Sequence, residues 1–224
     1  MPHPLFTREK PDPIVCAELG KAIANYLDGK DRDGIGIIRA LAEREASNRH
    51  FCSVREVTTS LLFTDIVDSS GMFERYGNEF GHWIVNIHDH IVEQSVAGHD
   101  GVIVKHTGDG LLAEFSSHVD SVNAALDISA AMVRHNTRYP LLPVHVRIAV
   151  NVGSVIDEGH DLYGTAVNLA ARLCAKARPD QILVTNIVRQ RCSDSGPECK
   201  FNELEPFLPR GFSSSIPICE LVSH

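Results

Sequence analysis

The chain has 224 residues, room for one or two domains, of which 43% are apolar and 22% charged. That balance fits a globular chain able to bury a core, and it excludes a disordered tail, a collagen-like repeat and a disulfide-dense mini-protein. Lys plus Arg number 21 against 29 for Asp plus Glu, a net charge of −8 with no basic block, so no nucleic-acid partner is expected.

The opening Met1-Pro2-His3-Pro4-Leu5-Phe6 lacks the basic end and apolar run of a secretory signal. No stretch approaches the ~18 apolar residues of a membrane span. A cytoplasmic chain is expected. Asp12-Pro13 reads as an N-cap followed by proline at the first helical position. Ile14, Val15, Leu19, Ala22, Ile23, Tyr26 and Leu27 then fall near helical spacing. Gly29 to Gly36 breaks that helix, and Ile37, Ile38, Leu41 and Ala42 predict a second, shorter one. Two such helices bury little alone, so residues 1–53 read as a helical extension or a dimer contact ahead of a larger domain, residues 54–224.

In that domain Val57 to Ile66 is β-rich and ends in an acidic, small-residue loop. Trp83, Ile84, Ile87, Ile91, Val92 and Val96 predict one side of a helix. Gly101 to Phe115 is two short runs around Thr107-Gly108-Asp109-Gly110, a hairpin signal because glycine tolerates positive φ. Val119, Val122, Ala125, Ile128, Ala131 and Met132 mark a second long helix, with Ser117 and Asp120 spaced as a variant capping box. Val144, Val146, Ile148 and Val150 alternate as a strand. A helix from Thr165 to Ala177, a strand from Gln181 to Thr185 and a β-rich tail follow. This order predicts an α+β, ferredoxin-like fold with a largely antiparallel sheet.

Asp65 closes an apolar strand and Asp109 sits at the hairpin tip. A ferredoxin-like sheet sets the first strand antiparallel to the second hairpin strand, which would bring the two carboxylates together. They would repel unless a cation bridged them, and hard oxygen donors with open positions suit Mg²⁺ or Mn²⁺. The alternative is an ordinary turn aspartate and a strand-end cap. Lys105, before the hairpin, reads alone as a solvated strand residue. Asn168 and Arg172, spaced i, i+4, share one helix face and could serve a sugar oxygen and a reacting phosphate, or be a polar surface pair. His88 and His90 read as a solvated helix surface. His106 and His160 adjoin these residues without an assignable role. Ser69 and Ser70 have no Ser-His-Asp arrangement and suit donation to phosphate. Cys16, Cys52, Cys174, Cys192, Cys199 and Cys219 show no metal spacing and read as free thiols.

Three segments occur in order: Phe63-Thr64-Asp65-Ile66-Val67-Asp68-Ser69-Ser70, Lys105-His106-Thr107-Gly108-Asp109-Gly110, and Asp161-Leu162-Tyr163-Gly164-Thr165-Ala166-Val167-Asn168-Leu169-Ala170-Ala171-Arg172. Together they resemble the class III adenylyl/guanylyl cyclase catalytic domain, over roughly Val54 to Val222. The resemblance implies a palm-type fold and assigns Asp65, Asp109 and the Ile66 carbonyl to two divalent ions, Mg²⁺ or Mn²⁺. It assigns Lys105 and Asp161 to the purine edge, Asn168 to the ribose, Arg172 to the transition-state phosphate and Arg210 to the terminal phosphates. Asp68 stands where many members have glycine, placing a carboxylate beside the phosphate loop. The family's head-to-tail dimers build each site from both subunits, and this chain carries both halves, which implies a homodimer. An extended strand would separate Lys105 from Asp109 by about 13 Å. The implied activity is conversion of ATP to cyclic AMP and pyrophosphate. The alternatives are a guanylate or other nucleotidyl cyclase and a catalytically silent nucleotide-binding module; the Gly-Gly-Asp/Glu-Glu-Phe signature of diguanylate cyclases is absent.

Overall fold

The computed structural model describes residues 21–26, 28–30, 34–40, 55–159, 161–193 and 199–222. Two compact units, residues 1–54 and 55–224, divide the chain. In the first, residues 21–26 (α1) and 35–40 (α2) are helical. The second helix therefore starts before Gly36 rather than after it. The expected Asp12-Pro13 cap, together with Ile14, Val15, Leu19, Leu27, Leu41 and Ala42, lies outside the described residues.

The second unit runs β1 (Arg55–Ile66), α3 (Ser69–Tyr76), α4 (Asn78–Gly98), β2 (Val102–His106), β3 (Gly110–Phe115), α5 (His118–Arg138), β4 (Val146–Asp157), β5 (Leu162–Tyr163), α6 (Thr165–Lys176), β6 (Ile182–Thr185), α7 (Asn186–Ser193), β7 (Lys200–Glu203) and β8 (Ile218–Val222). The strands form one sheet in the order β2-β3-β1-β4-β6-β8-β7, with β5 paired to β4. All pairings are antiparallel except β4 with β6. This is the expected α+β, ferredoxin-like arrangement.

Strand pleat divides the core into two layers. On one face Leu62, Ile66, Ile148 and Val150 pack with Ile84, Val92 and Val96 of α4 and Val122, Ile128 and Met132 of α5. On the other, Leu61, Phe63, Leu112 and Ala149 pack with Ala166, Val167, Ala170, Leu173 and Cys174 of α6. The α5 start follows the sequence signal: the Asp120 N–H donates to the Ser117 hydroxyl at 3.3 Å.

Several expectations need correction. Trp83 is 46% exposed, because the inward stripe of α4 is Gly81, Ile84, His88, Val92 and Val96. Trp83 lies about 100° round the helix from Ile84 and meets Phe80 instead, ring centroids 6.3 Å apart. His88 is fully buried, not solvated. β4 starts at Val146, leaves Val144 outside and runs on to Asp157. α3, α7 and β5 are too short to show a clear period, and α3 occupies what reads in sequence as loop. Cys174, Cys192, Cys199 and Cys219 are free; Cys16 and Cys52 lie outside the described residues. Among the described residues, no helix is long and apolar enough to cross a membrane.

Candidate active site

Asp65 sits one residue from the end of β1, opposite Gly110 of β3 and Arg147 of β4. Gly110 is a steric requirement: a Cβ there would lie 2.2 Å from the Thr64 carbonyl oxygen. Gly108, with φ +97°, turns the chain just before Asp109, so the hairpin tip folds back on β1. The Ile66 N–H then donates to the Asp109 carbonyl at 3.0 Å. The expected meeting of Asp65 and Asp109 follows from this register. Because residues 107–109 are a turn, the extended-strand separation of Lys105 and Asp109 does not apply.

Asp65 is ion-paired to Arg147 at 2.5 Å, and the Ser69 hydroxyl donates to the Asp109 carboxylate. Burial pushes the Asp65 carboxyl up; Arg147 pulls it back, the Asp109 charge pushes it further, and it stays above its ordinary value. Two adjacent carboxylates that resist joint ionisation can accept a hard divalent cation. Among the described residues, no group of three or more His, Cys, Asp or Glu is placed to hold a metal. Two carboxylates with a nearby backbone carbonyl fit an ion that keeps water and substrate oxygens in its remaining positions, as Mg²⁺ does. Arg147 carries no sequence signal, since only the β1–β4 register sets it beside Asp65. Its Nε is buried without a partner.

Lys105 and Asp161, 56 residues apart, meet with Nζ 2.7 Å from Oδ2. The Leu162 N–H donates to the other oxygen at 2.8 Å. Burial alone would raise Asp161, but these hydrogen bonds and the lysine charge outweigh it and hold the carboxyl below its ordinary value. The Lys105 ammonium also lies 5.9 Å from the Tyr163 ring centroid.

α6 has two chemically different sides. Ala166, Val167, Ala170, Leu173 and Cys174 are buried. The Cys174 thiol reaches the Arg147 carbonyl at 3.5 Å and the Phe63 carbonyl at 3.8 Å, just beneath Asp65, and burial pushes it well above its ordinary value. Asn168 and Arg172 fall about 180° from that stripe at 100° per residue, and both are exposed. Arg210 is exposed in the turn where the Phe212 N–H donates to the Pro209 carbonyl at 3.1 Å. The side chains of Asn168, Arg172 and Arg210 make no hydrogen bond or ion pair among the described residues. One chain thus gathers Asp65 with Asp109 and Lys105 with Asp161, while Asn168, Arg172 and Arg210 stand apart.

Asp68 adopts the left-handed conformation, φ 56° and ψ 33°, which explains a preference for glycine there, and its carboxylate pairs with Arg75. Ser69 is buried and engaged with Asp109, whereas Ser70 is exposed. His160 lies outside the described residues.

Residues 53–211 match the adenylate and guanylate cyclase catalytic domain family. A Rhizobium meliloti protein provisionally named adenylate cyclase 3 is 32% identical over 139 residues, which cover 62% of this chain and 24% of that protein. An adenylate cyclase from Streptomyces coelicolor is 29% identical over 122 residues, 54% of this chain and 31% of its own length. The match therefore spans a quarter to a third of these curated relatives. The crystal structure of an adenylate/guanylate cyclase/hydrolase from Silicibacter pomeroyi has a TM-score of 0.69 at 29% identity, covering 77% of this chain and 100% of that one. The adenylyl cyclase CyaB from P. aeruginosa shares the fold at a TM-score of 0.69 and 18% identity, covering 77% of this chain and 97% of its own.

Proposed function

This chain belongs to the adenylate and guanylate cyclase catalytic domain family, and on that premise we propose that it converts ATP to 3′,5′-cyclic AMP and pyrophosphate in a homodimer. Asp65, Asp109 and the Ile66 carbonyl would hold two divalent ions, Mg²⁺ or Mn²⁺. Bound there, such ions lower the pKa of the ribose 3′-hydroxyl and neutralise the departing phosphates. The hydroxyl oxygen attacks the α-phosphorus in line, its proton is released, and the bond to the β-phosphate oxygen breaks. Asn168 orients the ribose. Arg172, always protonated, stabilises charge on the α-phosphate, and Arg210 meets the terminal phosphates.

The observation that carries the substrate reading is the Lys105–Asp161 contact of 2.7 Å. An ammonium beside a carboxylate complements adenine, which offers an acceptor at N1 and a donor at its exocyclic amine. Guanine can offer O6 to Lys105 and N1–H to Asp161, so a guanylate cyclase is the second reading. Adenine is favoured because guanylate cyclases of the family usually carry Glu and a small polar residue where this chain has Lys105 and Asp161, and a mispaired base in a buried polar site is penalised.

Product analysis with ATP, GTP, CTP and UTP and Mn²⁺ tests this directly. Cyclic AMP as the main product is expected, and Lys105→Glu should cut ATP turnover by roughly tenfold or more while relaxing discrimination against GTP. A preference of the unmodified chain for GTP would overturn the base reading and leave the metal assignment standing. No turnover of any nucleotide would favour a silent binding module.

A further inference from the structure

We propose that His88 and Asp89 of α4 are positioning residues that set the spacing of Asp65 and Asp109, and through it the site's affinity for a divalent cation. This rests on reading those aspartates as the metal site. His88 is fully buried in the apolar layer beneath β1. Both ring nitrogens are engaged: Nδ1 lies 2.8 Å from Asp89 Oδ1 and Nε2 lies 3.0 Å from Thr64 Oγ1. Burial would raise the Asp89 carboxyl, but the hydrogen bonds and charges of His88 and His106 outweigh it and leave it below its ordinary value. The Asp89 carboxylate accepts from Nδ1–H, which holds the ring with Nε2 on the Thr64 hydroxyl. The other Asp89 oxygen lies 3.2 Å from His106 Nδ1, and His106 Nε2 lies 3.6 Å from Glu93.

The geometry joins two chain segments that meet nowhere in sequence. Thr64 is the residue before Asp65, and His106 ends β2 three residues before Asp109. Little more than one turn of α4 therefore grips both strands behind the aspartates. Pleat turns Thr64 toward α4 and Asp65 toward the opposite face, so pinning Thr64 fixes the roll of the strand at Asp65. A cation bridging two carboxylates tolerates little error in their separation, and partners behind the ligands set it.

The test measures Mn²⁺ binding alone, by electron paramagnetic resonance titration of the full chain, together with thermal melting. Thr64→Val, which keeps the shape but loses the hydroxyl, and Asp89→Asn should each raise the half-saturating Mn²⁺ concentration roughly tenfold. Thr64→Ser should restore binding. Thr59→Val is the control: it removes a buried hydrogen bond from the same strand, the Thr59 hydroxyl to the Phe115 carbonyl, without touching this network. It should melt earlier with Mn²⁺ binding unchanged. Unaltered Mn²⁺ affinity in folded Thr64→Val and Asp89→Asn, or an equal shift in Thr59→Val, would overturn the proposal. Mn²⁺ binding that survives Asp65→Ala would instead overturn the metal reading itself, and this inference with it.

Discussion

The end of β1 and the outer side of α6 carry the same density of polar chemistry under opposite constraints. At β1, Asp65 is paired with Arg147, Asp109 accepts from Ser69, and His88 anchors the preceding Thr64. On α6, Asn168 and Arg172 project away from the core with no side-chain partner among the described residues. The first region is preorganised within one chain. On the proposed homodimer reading, the second is the half that a partner subunit completes. The difference teaches that the buried half can be tested by stability, the exposed half only by assembly and turnover.

The largest expected effect breaks the comparison by mixing halves. Asp65→Ala and Arg172→Ala chains should each be inactive, yet together recover about a quarter of wild-type turnover. Half of the dimers are then mixed, each with one intact site of two. Absence of recovery in verified heterodimers would mean that each chain completes its own site.

Stability sharpens the contrast. Asp65→Ala leaves the largely buried Arg147 guanidinium unpaired and should cost about 1–2 kcal/mol in urea unfolding. Arg172→Ala breaks no hydrogen bond or ion pair among the described residues and should stay within about 0.5 kcal/mol. Equal losses in the two variants would contradict the division into braced and unbraced regions.

The smallest effect lies in the pH dependence of the Lys105–Asp161 pair. Asp161 has a folded value below its unfolded one, near 3.9. Its contribution is therefore complete above about pH 4 and lost as pH falls through the lowered folded value. Lysine here is partly exposed, so no more than about 0.5 kcal/mol is at stake. Melting curves should show a shallower acid limb for Lys105→Ala than for the wild type; identical limbs would mean that the contact adds nothing in solution.

What the sequence determined by itself was local or periodic. The apolar run of Leu61, Leu62 and Phe63, the Gly108-Asp109-Gly110 turn, the Ser117 cap and the Asn168–Arg172 spacing each depend on neighbours within a few residues, so strands, hairpin and shared helix face were legible. The three motifs identified the family for the same reason, each being a short uninterrupted run. Tertiary structure alone decided which side chains meet across the sheet. Register set Arg147 opposite Asp65, and no feature of the β4 sequence distinguishes that arginine from a solvated one. Packing likewise turned His88 from an expected surface residue into a fully buried one, because the α4 stripe that faces β1 passes through it and Thr64 and Asp89 satisfy both ring nitrogens. Trp83 went the other way on the same helix, since it lies about 100° round from Ile84 and off the inward stripe. Partners distant in sequence are chosen by register and by the rotation of a helix about its axis, and neither is encoded within one segment.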